Sequence, residues 1–116
     1  MCAKVEKILQ TETTWDGAHL PQYPTGPAEI SVLRITVPPH TKMSFHHHPV
    51  INCAYILQGT LHVTTKNGET HCFKAGEAMA EVIGTSHFGE NRDDVPMQMV
   101  VVYAGVKGEA ITIQDN

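Results

Sequence analysis

The chain has no basic cluster. Its eight Lys and Arg are outnumbered by twelve Asp and Glu, for a formal net charge of −4 over 116 residues. Such a surface gives phosphates nothing to grip, which excludes nucleic acid as a partner. There is also no long hydrophobic run: the most apolar stretch, Val95 to Val106, falls far short of the roughly 20 residues that cross a bilayer as a helix. It reads as a buried strand, and no membrane partner is expected. Paired cysteines are missing too. Cys2, Cys53 and Cys72 are odd in number and show no Cys-x-x-Cys spacing, which excludes a disulfide framework and a zinc ribbon and suits a reducing compartment. The opening MCAKVEKILQ carries Lys4, Glu6 and Lys7 and lacks the apolar core of a signal sequence. A soluble, cytoplasmic protein is the expectation.

Helical periodicity is the last absence, since no segment of ten or more residues shows it, while turn signals recur every eight to twelve residues. What is present is β-branched and aromatic. Glu29 to Val37 reads as a strand closed by Pro38-Pro39. Met43 to His48 and Cys53 to Thr65 follow as strands, with Pro49-Val50-Ile51 as the bend between them. Asn67-Gly68 predicts a tight hairpin into Thr70 to Lys74, because both residues tolerate positive φ. Ala78 to Ile83, Met97 to Ala104 and Ala110 to Gln114 complete the set. The fold class is therefore all-β, a sandwich or small barrel, in one domain large enough to bury a core. Residues 5–11 read as a further short strand, and TTWDGAHLPQYPTGP after it is too rich in Pro and Gly for regular structure. The expected division is an N-terminal strand and arm over 1–27, packing through Trp15, Leu20 and Tyr23 on the barrel or on a partner subunit, and a β-barrel over 28–116.

Metal-ligand chemistry concentrates in FHHHPVINCAYILQG, Phe45 to Gly59. His46 and His48 are two apart, so on an extended strand their imidazoles leave one face and His47 leaves the other. Imidazole is the commonest protein ligand for zinc, copper, iron and nickel. An internal run of three, between apolar residues and a proline, is not an expression tag. A polar strand edge remains the plain alternative, because two ligands rarely hold a divalent ion and further ones are required.

The rest of the pattern comes from two spaced motifs. His40, five residues, His46-His47-His48, three residues, Asn52, six residues and Gly59 form the first. Gly76, five residues, Val82-Ile83-Gly84, Thr85-Ser86, His87, three residues and Asn91 form the second, sixteen residues further on. Together they resemble the two motifs of the cupins, and in particular a small single-domain metal-binding cupin. The resemblance implies a jelly-roll β-barrel, or double-stranded β-helix, with a metal held inside by His46, His48 and His87. It departs from the family at Asn52, where a glutamate is usual and an amide oxygen is a poorer ligand. Asn52 is then a weak fourth ligand or a hydrogen-bond partner of bound water. Glu81 is the other candidate for a fourth or catalytic group. It has the strand parity of His87, and a buried Glu needs a partner. Pairing with Arg34 or exposure to solvent is its alternative. His40 stands at the motif's first glycine and is expected at positive φ as turn chemistry. His47, His62 and His71 are expected to be exposed or structural, and His19 has no evident partner.

The activity implied is that of a non-haem metal dioxygenase on a small chelating organic substrate. Iron(II), Fe2+, is the preferred metal, with Mn2+, Ni2+, Zn2+ and Cu2+ as alternatives. Family geometry would let Met43, Tyr55, Met79, Phe88, Met99 and Tyr103 wall the pocket. A non-catalytic module that binds or senses a small molecule or metal chelate is the alternative, and a sugar isomerase or epimerase is a third, because a fold does not choose among them. A homodimer is the expected assembly.

Overall fold

Ile30, Val32, Ile35, Thr36 and Val37 carry β-branched side chains that a pleated surface accommodates, and the ten residues that hold them form β1 (Ala28–Val37). The structure is a computed structural model that describes residues 2–115. Among these it contains no helix and nine further strands: β2 (Thr41–Lys42), β3 (His46–His47), β4 (Ile51–Gln58), β5 (Thr60–Thr65), β6 (Thr70–Lys74), β7 (Ala78–Ala80), β8 (His87–Asn91), β9 (Met97–Val106) and β10 (Ile113–Gln114). They make two antiparallel sheets, one in the order β1-β9-β4-β7 and one in the order β10-β3-β8-β5-β6, with β2 also paired to β8. This is the jelly roll. Alternate residues of β9 (Met97, Met99, Val101, Tyr103) and of β5 (Leu61, Val63) meet those of β4 (Ala54, Ile56) between the sheets and bury the core.

Several boundaries differ from the sequence reading. The expected strand from Cys53 to Thr65 is two strands in different sheets, broken at Gly59, whose φ is +78°. A Cβ there would lie 3.2 Å from Met97 Cα, so the corner requires glycine both for its dihedral and for its space. The strand expected over Met43 to His48 shrinks to His46–His47, that over Ala78 to Ile83 ends at Ala80, and that over Ala110 to Gln114 begins at Ile113. β8 is central to its sheet yet poor in strand formers. Gly89, Glu90 and Asn91 are held extended by β5, β3 and β2 on either side, so pairing overrides propensity.

The hairpin expected at Asn67-Gly68 is present, with a three-residue loop: Gly68 takes φ +91°, its N–H donates to the Thr65 carbonyl at 2.9 Å, and Thr65 N–H donates to the Glu69 carbonyl at 2.8 Å. His40 takes φ +52°, the turn conformation expected of it. The buried Asn91 staples the loop beyond it, its Nδ2 lying 3.0 Å from Val37 O, 3.2 Å from Pro38 O and 2.8 Å from Val95 O.

Residues 5–11 are not a strand. They carry no regular structure, and Val5, Ile8 and Leu9 are exposed, since no sheet edge of the chain takes them up. In the arm a lone bridge joins Thr13 to His19, and Trp15 between them packs against the core. Residues 1 and 116, the outer limits of the expected division, lie outside the described residues.

Candidate metal centre

β3 and β8 are antiparallel neighbours, and their register sets His46 directly opposite His87. Residues so paired hold their Cβ atoms roughly 5 Å apart. His48 is two residues beyond His46 and so returns to the same face. The three rings form a tight triangle, with centroids 4.5 Å apart for His46 and His87, 4.9 Å for His46 and His48, and 5.1 Å for His48 and His87. One ligand nitrogen from each lies within 4.8 Å of the others, and all three residues are buried. The trio read from the sequence converges on one point and is positioned to bind a metal.

The rings are also oriented. His46 Nδ1 bonds the Ser44 carbonyl at 2.9 Å, His48 Nδ1 the Ile111 carbonyl at 2.9 Å, and His87 Nδ1 the Thr85 carbonyl at 2.8 Å. A carbonyl only accepts, so each Nδ1 carries the proton and donates it, which leaves each Nε2 with its lone pair bare. Backbone anchoring of this kind fixes ring and tautomer at metal sites. His87 Nε2 is buried without any hydrogen-bond partner, an arrangement that costs free energy unless something else takes the lone pair. Burial, the largest cause, pulls the pKa of both His48 and His87 down to about 4, and the neighbouring imidazoles add to the effect. Both are therefore neutral at neutral pH, the form a metal needs. The site fits a divalent transition ion.

Glu81 is neither paired with Arg34 nor facing solvent. It is buried, its Oε2 stands 3.7 Å from His87 Nε2, and its Oε1 accepts from Trp15 Nε1–H at 2.6 Å and Val82 N–H at 3.0 Å. Burial pushes its carboxyl above the usual range, against those two donors. With His87 neutral and the separation beyond hydrogen-bond length, the Glu81–His87 contact is not an ion pair of the ordinary kind. Asn52 is buried on β4, where its Nδ2 donates to the Val50 carbonyl at 3.1 Å, leaving its Oδ1 as the group it can offer. In the sequence Trp15 stands only as an apolar residue of the arm. Its indole N–H, the partner of Glu81 66 positions away, has no signature in the local sequence.

The three rings, Asn52 and Glu81 open onto a cavity of about 140 Å³. Met43, Met99 and Tyr103 line it as expected, joined by Leu61, Val63 and Gly89. Tyr55, Met79 and Phe88 do not. Tyr55 is on the outer face of its strand, Met79 is core, and Phe88 packs against Phe45 with Lys42 over its ring. Strand parity is the reason, because β8 points His87 and Gly89 inward and Phe88 the other way. The other histidines do separate work. His40 meets Asp94 at 2.6 Å on the surface, His47 meets Asp115 at 2.9 Å, and His71 stacks on Phe73 with centroids 4.6 Å apart.

A fold, a pair of spaced motifs and a converging histidine trio now stand together. The Cupin_2 family model, the cupin domain, matches residues 33–103, and the chain belongs to that family. Solved structures of the same fold include the DMSP lyase DddQ from Ruegeria pomeroyi, at 19% identity and TM-score 0.63, over 73% of this chain and 42% of that one. The oxalate decarboxylase of Lactobacillus farciminis in its formate complex is similar at 24% identity and TM-score 0.64, over 73% of this chain and 26% of that one. A conserved protein with a double-stranded β-helix domain from Klebsiella pneumoniae is similar at 22% identity and TM-score 0.60, over 79% and 77%. This chain spans less than half the length of the lyase and the decarboxylase, and at these identities the likeness is one of fold. No curated protein matches the chain. Among the described residues no helix is long and apolar enough to cross a membrane.

Proposed function

We propose that the protein is a non-haem metal dioxygenase that acts on a small chelating organic substrate, with a divalent ion, iron(II) by preference, held by His46, His48 and His87. The observation that carries this reading is the convergence of three imidazoles whose Nδ1 protons are all spent on backbone carbonyls, leaving the Nε2 lone pairs for an ion. When bound, iron would supply the redox chemistry with oxygen that amino-acid side chains lack. The chain's own part is binding, orientation and exclusion of water. Three neutral imidazoles leave the ion's double charge to be offset by the carboxyl of Glu81 beside them and by an anionic, chelating substrate. Leu61, Val63, Met43 and Met99 give that substrate apolar walls. A cavity of this volume takes a molecule of about benzene's size, which favours small acids, diketones, thiols or single-ring catechols over a sugar phosphate.

The test is metal content by mass spectrometry on untagged protein, followed by oxygen uptake by the iron-loaded protein with a panel of those compounds. Stoichiometric metal that is lost in His46→Ala and His87→Ala, with oxygen uptake on at least one compound, supports the proposal. Metal that persists in both variants overturns the site. Tight compound binding with no oxygen uptake moves the protein to the second reading, a binding or sensing module, which the small and largely apolar cavity serves equally well.

The same reading includes a homodimer. Its support is the outer face of the four-stranded sheet, where Ile30, Val32, Tyr55, Leu57 and Val102 stand exposed beside the edge strand β1. A monomer mass by light scattering at micromolar concentration overturns it.

A further inference from the structure

We propose that Trp15 is a positioning residue of the metal centre: its indole N–H holds the Glu81 carboxylate so that the free oxygen faces the three-histidine cluster. The proposal rests on the reading of that cluster as a metal site. Trp15 is fixed twice, since its backbone N–H donates to the Ala80 carbonyl at 3.0 Å, one residue before Glu81, and its Nε1–H donates to Glu81 Oε1 at 2.6 Å. Val82 N–H adds a second donor to the same oxygen at 3.0 Å. Oε1 is thereby committed. Oε2 makes no hydrogen bond among the described residues and faces His87 Nε2, the buried nitrogen without a partner, at 3.7 Å.

Three neutral imidazoles and one carboxylate give a dipositive ion more of the charge it needs than three imidazoles alone. A carboxylate serves that role only when one oxygen is turned inward, and outer partners that fix such groups typically matter tenfold or more in metal affinity. The N-terminal arm therefore belongs to the site rather than to its wrapping. Its turn, closed by Thr14 N–H to the Ala18 carbonyl at 2.8 Å, carries that indole. Coupling runs both ways: if arm docking tightens the metal, metal must tighten the docked arm.

The alternative is that Trp15 only packs, on Phe73 at 6.3 Å and His71 at 6.1 Å between ring centroids. Trp15→Phe keeps an aromatic ring and removes the N–H, which separates the two roles. Zn2+ is the probe. It is a closed-shell ion, so it does not quench fluorescence through unpaired electrons, and Trp15 is the chain's single tryptophan. Zn2+ affinity, by competition with a chromogenic chelator, is expected to fall at least tenfold in Trp15→Phe and in Glu81→Gln. The double variant is expected to fall no further than the worse single one, since both break one link. Zn2+ is expected to shift the Trp15 emission in the wild type and not in Glu81→Gln at saturating Zn2+. Wild-type affinity in Trp15→Phe, losses that multiply in the double variant, or an emission that Zn2+ leaves unmoved each overturns the positioning role. Should Trp15→Phe fail to fold, the emission comparison decides alone. A wild type that takes up no Zn2+, Fe2+ or Mn2+ sinks the metal reading and this one with it, whereas a wild type that binds Zn2+ no better than Trp15→Phe sinks only this one.

Discussion

The two sides of the cavity are held by different means. On the six-stranded sheet, His46 and His87 are each oriented by a carbonyl two residues earlier in the chain, Ser44 and Thr85, so residue and support travel together in the sequence. On the opposite side Glu81 depends on Trp15, 66 positions away and in a segment without a strand. The first side is local at two of its three rings, His48 being held by the Ile111 carbonyl 63 positions away, whereas the second adds to the neighbouring Val82 N–H a tertiary partner, the indole of Trp15. Local devices leave spaced motifs, and tertiary ones leave none. The difference also sets what each can tolerate, because a ring tied to its own strand keeps its aim when distant parts shift, and a carboxylate tied to an arm does not.

The largest expected effect breaks the first side. His87→Ala should lose at least a hundredfold in metal affinity, against roughly tenfold for losing an outer partner. Equilibrium dialysis that shows comparable losses for His87→Ala and Trp15→Phe would erase the distinction between the two sides.

Acid should unsettle the same side in the metal-free protein. His48 and His87 titrate near pH 4 folded, against 6.5 for the free side chain. The unfolded chain binds more protons between those values, so stability is complete above pH 6.5 and is lost as pH falls towards 4. Linkage puts the loss at roughly 3 kcal/mol per ring. Glu81 has the opposite sign: its raised carboxyl contributes stability below 4.5 that is lost as pH rises through the folded value. Urea unfolding across this range should therefore show a steeper acid loss in Glu81→Gln than in the wild type.

Away from both sides, Asn91→Ala removes the buried donor that serves three loop carbonyls, that of Val37 buried and those of Pro38 and Val95 partly so, and should cost about 2–3 kcal/mol of stability with metal stoichiometry intact. The smallest effect is expected at Asn52, whose Nδ2 is engaged by Val50 O. Asn52→Ala should change metal affinity less than about threefold, as befits an amide oxygen, a poor ligand. A larger drop would make Asn52 the fourth ligand and weaken the case for Glu81.

Much of this was legible in the sequence. The β class follows from alternation and turn signals and the His46–His48 pair from strand parity, whereas the jelly roll and the third ligand, His87, are what the resemblance of the two motifs to the cupins implies. The positive φ of His40 was readable from its place at a motif glycine. What escaped depended on pairing rather than on type. Residues 87–91 are poor strand formers made into β8 by their neighbours, and residues 5–11 are good strand formers with no edge to join. The break at Gly59 was hidden because a corner and a bulge look alike from sequence, and it took the approach of Met97 to tell them apart. Trp15 and Glu81 each looked ordinary until set side by side.

Gly89 adds a last consequence. It forms part of the cavity wall, and a Cβ there would lie 3.0 Å from Leu61 Cδ1 and 3.4 Å from Met43 Sδ. Both neighbours are the ends of flexible side chains that also line the cavity, so an added methyl would displace them by a few tenths of an ångström. Gly89→Ala would therefore reshape that wall through Leu61 and Met43 without altering a ligand atom, which makes residue 89 a place from which the size of the admitted guest can be changed.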